Sequence, residues 1–238
     1  MDSPLKNVAI VLAGGIGQRF GTDIPKQFLD LGGKTVIEHS IDAFEINHNI
    51  DEIAIVIHRD YLQQMRDIVK CRSWKKVNKL LVGGKERYFS TLAAIEAFKD
   101  AKELNLIFHD AARPCVSQRI IDDVVSALNE NPAVAVAIPT TDTIFEVESD
   151  QSLVKNIPNR QLLRSAQKPQ AFRVDIISEA YNKALMDENF SCTDDCGVIL
   201  KYSPEIPIKI VSGELVNMKI TYPEDITFLL SYLKKITE

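Results

Sequence analysis

The residues best suited to chemistry fall in five short segments. The first is Ala13-Gly14-Gly15-Ile16-Gly17-Gln18-Arg19-Phe20-Gly21, which follows the apolar run Val8–Leu12 and leads into Pro25-Lys26-Gln27. Glycines after a strand let backbone N–H groups approach phosphate oxygens closely, and Arg19 and Lys26 supply charge to neutralise a polyphosphate. This outlines a triphosphate site, and a glycine-rich turn that only reverses the chain is the alternative. Two common nucleotide patterns do not fit. The dinucleotide fingerprint counted from Gly15 needs glycine where Phe20 stands, and the Walker pattern ending in Gly33-Lys34-Thr35 needs glycine where Phe28 stands.

A second glycine loop, Val82-Gly83-Gly84-Lys85-Glu86-Arg87, precedes Ser90-Thr91. Its backbone can hold the edge of a nucleobase and Ser90 can donate to base or ribose; an ordinary turn with a helix cap is the plainer reading. The third segment is His109-Asp110-Ala111-Ala112-Arg113-Pro114, straight after Leu106-Ile107-Phe108. A carboxylate at the end of a strand can hold Mg²⁺ against phosphate oxygens, and an arginine three residues on can meet a second anion. A local Asp110–Arg113 ion pair with His109 packed inside accounts for the same residues. Thr193-Asp194-Asp195 fits a helix start, and Asn217-Met218-Lys219-Ile220-Thr221 predicts a short strand that presents Lys219 ahead of a last helix.

These segments need a scaffold. Val8–Leu12, Ile53–Ile57, Leu106–Phe108 and Val134–Ile138 are short β-branched runs of the kind that form buried strands. Between them lie apolar stripes with helical spacing: Val36, Ile37, Ile41 and Phe44; Leu62, Met65, Ile68 and Val69; Ile120, Ile121, Val124, Val125 and Leu128. The alternation predicts an α/β fold with a mainly parallel twisted sheet flanked by helices, whose ligands bind beyond the carboxyl ends of the strands. All the loops named above fall there. Thr143–Glu148 and Leu153–Ile157, separated by a polar turn, break the pattern and predict a β-hairpin arm over about 140–160. A lone hairpin is marginal in water, so a second subunit is its natural support.

The 238 residues suit one domain spanning 1–238, and the net charge of −5 argues against nucleic acid or an anionic membrane as a main partner. The start of the chain lacks signal-peptide features and no apolar run spans a membrane, which predicts a cytoplasmic protein. Cys71, Cys115, Cys192 and Cys196 are too few and too scattered for a disulfide framework and are read as reduced thiols.

In order and spacing the segments resemble the 2-C-methyl-D-erythritol 4-phosphate cytidylyltransferases and the related ribitol 5-phosphate cytidylyltransferases, from Leu12 to Asp225. The shared motifs are Leu-Ala-Gly-Gly-x-Gly-x-Arg with Pro-Lys-Gln, Gly83-Gly84-x-x-Arg87, His109–Pro114, Asp142-Thr143, Arg160, Pro169-Gln170-Ala171-Phe172, Thr193-Asp194-Asp195 and Asn217-x-Lys219-Ile220-Thr221. The resemblance implies a Rossmann-like nucleotidyltransferase fold, a homodimer clasped by the arm, and Mg²⁺-dependent transfer of CMP from CTP, bound first, to a polyol phosphate. By position, Ala13, Gly14, Gly15, Gly17, Gly83, Gly84, Lys85 and Ser90 fall at the nucleotide. Arg19, Lys26 and Lys219 fall in the catalytic charge set, with Asp110 at the metal, and Arg113, Thr143, Arg160 and Thr193 join Asp110 around the second substrate.

Lys168 stands where both subfamilies usually carry Thr, and is expected at the edge of the polyol-phosphate pocket as an added phosphate contact or a block. Methylerythritol phosphate is favoured as substrate. D-ribitol 5-phosphate, leading to CDP-ribitol for cell-surface polymers, is the alternative, and a catalytically inactive nucleotide-binding regulator is a third reading that the intact charged set opposes.

Overall fold

The computed structural model describes residues 5–15, 24–84, 86–101 and 103–237. Strand β1 (Lys6–Ala13) is followed by α1 (Val36–Glu45), β2 (Glu52–Ile57), α2 (Leu62–Cys71), β3 (Val77–Val82), α3 (Arg87–Ala97), β4 (Leu104–Asp110), α4 (Gln118–Leu128) and β5 (Ala133–Pro139). The short β6 (Glu146–Val147) and β7 (Val154–Asn156) come next, then β8 (Arg164–Arg173), α5 (Val174–Ala184), α6 (Asp195–Tyr202), β9 (Ile208–Ser212) and α7 (Pro223–Thr237).

Seven strands form one sheet in the order β3-β2-β1-β4-β8-β5-β9. Every neighbouring pair is parallel except those made by β8, which runs antiparallel to both β4 and β5. The sheet is therefore mainly parallel, as the alternation of runs predicts. The chain builds outward from β1 to β3 and then crosses back to add β4 on β1's other side. That reversal opens a crevice at the carboxyl ends of β1 and β4, where α/β sheets bind ligands.

Strands β2 and β4 are buried along their whole length, which is why their centres, Ile53–Ile57 and Leu106–Phe108, read as apolar runs. On one face the sheet packs against the stripes of α1, α2 and α4 through Ile37, Ile41, Phe44, Met65, Ile120, Val124 and Leu128. On the other it packs against α3, α5 and α6 through Ala94, Ile95, Ile177, Tyr181, Val198 and Ile199. A third cluster, with Leu31, Val36, Cys115, Ile220 and Leu229, seats α7 beside the crevice.

Two local features bear on function. The hairpin pairs Glu146 with Asn156 and Val147 with Val154, and it stands apart from the main sheet. Segment 217–221 is a loop, not the expected strand. Its carbonyls are taken by side chains: Asn217 O accepts from Arg113 Nη1 (2.7 Å) and Ile220 O from Lys26 Nζ (2.9 Å). These bonds replace a β-ladder. No helix among the described residues is long and apolar enough to cross a membrane.

Candidate active site

Ala13 ends β1, and Gly14 and Gly15 continue from it beneath Gln27. The buried Gln27 amide donates to Ala13 O and Gly15 O, both at 3.1 Å, and so holds the opening of the first glycine loop. Ser90, buried on α3, lies against both glycine loops. A Cβ added to Gly14 would sit 2.7 Å from Ser90 Oγ, and one added to Gly83 would sit 2.6 Å from it. Gly84 is under the same restriction from Phe89, whose Cβ would be 2.5 Å away. Close approach requires glycine at 84, while a side chain at 14 or 83 would force Ser90 Oγ to turn away from the loops.

Asp110 ends β4 in the crevice. Its Oδ2 meets Lys219 Nζ at 3.0 Å and Arg113 Nε at 3.4 Å. Burial opposes ionisation of Asp110, but the charges of Lys219, Lys168 and Arg113 outweigh it and hold the carboxyl far below the usual range. Ile220 N donates to Ala112 O at 2.8 Å, which docks the Lys219 loop onto the turn after β4. Lys26 reaches the same loop through Ile220 O. Lys26, Lys219, Arg113 and Asp110, drawn from three distant stretches of sequence, are thus tied together through the 217–221 loop at the crevice rim beside the first glycine loop.

His109 has no face toward that rim. It is fully buried, its ring meets Phe44 edge-on with centroids 5.1 Å apart, and Nε2 lies 2.9 Å from Arg113 O. A carbonyl only accepts, so Nε2 carries the proton, and Nδ1 is left without a partner. Burial lowers its pKa to about 4 despite the Arg113 carbonyl bond, so the imidazole is neutral at pH 7. In the unfolded chain a histidine titrates near ~6.5. As pH falls from there toward 4 the unfolded chain takes up a proton that the native ring refuses, and stability drops. Metal-free protein is expected to lose about 2 kcal/mol from this ring between pH 7 and pH 5. Urea unfolding at the two pH values should show that much less pH dependence in His109→Gln; equal dependence in both proteins would contradict it.

Lys168 corrects the sequence expectation. Its side chain is 5 % exposed, and its ammonium donates to Asp195 Oδ2 at 3.0 Å and Gln170 Oε1 at 2.7 Å. The charge is committed to an internal carboxylate and is not presented to a ligand. The Lys168 charge is also among those that lower the Asp110 carboxyl. Asp194, not Asp195, caps α6, accepting from Gly197 N at 2.8 Å, with Thr193 exposed just before it. Thr143 and Arg160 are exposed on the arm, where Arg160 Nη1 donates to Thr141 O at 2.7 Å. Among the described residues neither is bonded to Asp110, Arg113 or Lys219. Gly17, Arg19 and Lys85 lie outside the described residues.

The sequence profile of 2-C-methyl-D-erythritol 4-phosphate cytidylyltransferase (IspD) matches residues 7–235. The chain belongs to this cytidylyltransferase family. A relative of that name from Thermobifida fusca is 41 % identical, covering 95 % of this chain and 92 % of its own. The crystal structure of 4-diphosphocytidyl-2C-methyl-D-erythritol synthase from Anaerococcus prevotii superposes with a TM-score of 0.84 at 32 % identity, covering 97 % of this chain and 99 % of that one. A bifunctional ribulose 5-phosphate reductase/CDP-ribitol pyrophosphorylase from Haemophilus influenzae is 42 % identical over 93 % of this chain, which corresponds to 47 % of that longer protein.

For a CTP-dependent cytidylyltransferase of this family, several structurally prominent residues escaped sequence reasoning. Gln27 and Asn217 were quoted only as motif members, yet Gln27 holds the first loop and Asn217 Nδ2 donates to Lys168 O at 2.6 Å. Arg87 and Asp195 form an ion pair at 2.8 Å although 108 residues separate them. Their sole sequence signal is membership of the motifs Gly83-Gly84-x-x-Arg87 and Thr193-Asp194-Asp195.

Proposed function

We propose that this cytidylyltransferase transfers CMP from CTP to 2-C-methyl-D-erythritol 4-phosphate and releases pyrophosphate. The observation that carries the reading is the meeting of Lys26, Lys219, Arg113 and Asp110 beside the first glycine loop. In this assignment Ala13, Gly14, Gly15, Gly83, Gly84 and Ser90 hold the cytidine, with Gly17 and Lys85 added by resemblance. Lys26, with Arg19 by resemblance, meets the triphosphate.

The acceptor's phosphate oxygen attacks the α-phosphorus of CTP, a new P–O bond forms, the bond to the β-phosphate oxygen breaks, and pyrophosphate departs. The attacking monoester is already anionic near pH 7, so no strong base is needed and His109 has no proton to move. Lys26 and Lys219 stabilise charge that builds on the phosphoryl oxygens, and Arg113 orients the acceptor. Asp110 keeps the two cations Lys219 and Arg113 in register.

The donor set fits Mg²⁺. This ion typically takes one or two carboxylates and completes its shell with water and substrate phosphates, and Asp110 is one ionised carboxylate at the crevice. Among the described residues no group of three or more His, Cys, Asp or Glu could hold a metal, which suits an ion brought in with the nucleotide. Bound there, Mg²⁺ would neutralise phosphate charge.

The arm supports a homodimer. Ile144, Phe145, Leu153, Val154 and Leu162 are exposed on or beside a two-stranded hairpin that gains nothing from the main sheet. A partner would cover them and receive Thr143 and Arg160 into its own site. If so, Arg160→Ala and Lys26→Ala subunits, each weak alone, should recover about a quarter of wild-type activity after mixing and exchange, because half the dimers are mixed and each has one intact site. No recovery after exchange would contradict a shared site. A cytoplasmic location accords with the phosphorylated, charged substrates.

The 42 % identity to the CDP-ribitol pyrophosphorylase supports D-ribitol 5-phosphate as the second reading. Measuring kcat/KM for pyrophosphate release with each polyol phosphate decides between them. The reading expects methylerythritol phosphate to be preferred, and a preference for ribitol phosphate would replace it.

A further inference from the structure

Asp195 is fully buried at the start of α6 and gathers donors from three other elements. Its Oδ1 accepts from Thr91 Oγ1 at 2.8 Å and Tyr181 OH at 2.9 Å. Its Oδ2 accepts from Arg87 Nη2 at 2.8 Å and Lys168 Nζ at 3.0 Å, and Arg87 Nη1 reaches Oδ1 at 3.3 Å. Burial opposes ionisation of this carboxyl, yet the charges of Lys168 and Arg87 hold it well below the usual carboxylate range. Apolar side chains would join the same elements without desolvating three charges, so packing alone gives little reason for such a cluster. Directional bonds give what apolar packing cannot: a fixed orientation.

What they orient is the first turn of α3. Arg87 opens the helix and Thr91 lies one turn further on, so the two bonds hold one face of it. Ser90 lies between them in sequence, with its Oγ inside the space that a Cβ on Gly14 or Gly83 would need. A small rotation of α3 would drive Ser90 into one glycine loop and away from the other.

We propose that Asp195 is a positioning residue for the nucleotide: by holding Arg87 and Thr91 it sets Ser90 in the gap between the two glycine loops, and the buried Lys168 supplies the second counter-charge. The proposal rests on the reading that those loops take CTP. It assigns Lys168 a place behind the nucleotide half of the site instead of at the acceptor phosphate.

Three conservative variants test it. Asp195→Asn keeps the shape but loses the charge, Thr91→Val breaks one bond to α3, and Tyr181→Phe breaks the bond from Asp195 to α5 while keeping the bonds of Asp195 to Arg87 and Thr91. Steady-state kinetics with CTP and the polyol phosphate should show KM for CTP raised at least about tenfold in Asp195→Asn, with KM for the polyol phosphate within twofold of wild type. Thr91→Val should move the same constant by a smaller factor, and Tyr181→Phe should leave it within twofold even where its thermal midpoint falls. If Asp195→Asn does not fold, the contrast between Thr91→Val and Tyr181→Phe decides. Unchanged KM for CTP in Thr91→Val, or an equal rise in Tyr181→Phe, overturns the proposal. Calorimetric titration of wild-type protein with CTP separates the two levels: no binding overturns the reading of the loops, whereas wild-type binding with unaltered binding in folded Asp195→Asn overturns the positioning role alone.

Discussion

Replacing Lys26 by alanine is expected to lower kcat by at least ~100-fold while the protein stays folded, a loss typical of removing one group that meets transition-state charge. Lys26 lies on a short 3-10 turn whose anchoring falls to its buried neighbours Gln27 and Phe28, and its ammonium donates to the Ile220 carbonyl at the rim. The ground-state complex keeps Lys219 and, by resemblance, Arg19 for the triphosphate, so KM for CTP should rise less than kcat falls. Single-turnover pyrophosphate release, together with a thermal melt, checks both parts. Near-normal turnover would remove Lys26 from the mechanism.

Asp110→Asn is expected to lower kcat by ~10²–10³-fold and to shift the Mg²⁺ dependence to higher concentration. The carboxylate has two partners that each depend on it. Lys219, half-exposed, would swing toward water, and the more buried Arg113 would keep only the Asn217 carbonyl. An amide can still accept a hydrogen bond but brings no charge to a cation or a metal. A magnesium titration of the initial rate in wild type and variant distinguishes this from general loosening. An unchanged magnesium midpoint would place the ion away from Asp110.

Much of the frame was legible because its determinants are local. Ile53–Ile57 and Leu106–Phe108 are apolar, largely β-branched or aromatic runs buried on both faces, and the stripe Ile120, Ile121, Val124, Leu128 has the spacing of one helix face. The reversal of β8 was not legible, since direction within a sheet depends on pairing with distant strands. Segment 217–221 misled because its β-branched and polar residues resemble a strand, while its carbonyls serve Arg113 and Lys26 from elsewhere in the chain.

The site shows the same division. Gly14, Gly83 and Ser90 could be named from motifs, but not the close approach of Ser90 Oγ to both glycines. Asp110, Arg113 and Lys219 could be named, but not the shared Oδ2. Lys168 was misplaced for a physical reason. A lysine beside a motif reads as exposed because an unpaired ammonium is costly to bury, and its partner Asp195 lies 27 residues away in a stretch that reads only as a helix cap.

Cytidylyl transfer moves the α-phosphate together with its cytidine. The direct measurement supplies CTP labelled at the α-phosphorus, Mg²⁺ and 2-C-methyl-D-erythritol 4-phosphate, and follows the label and pyrophosphate together. The label is expected in a cytidine diphosphate conjugate of the polyol, with one unlabelled pyrophosphate released for each label transferred. CTP that binds but passes no label to this or any other polyol phosphate would contradict it.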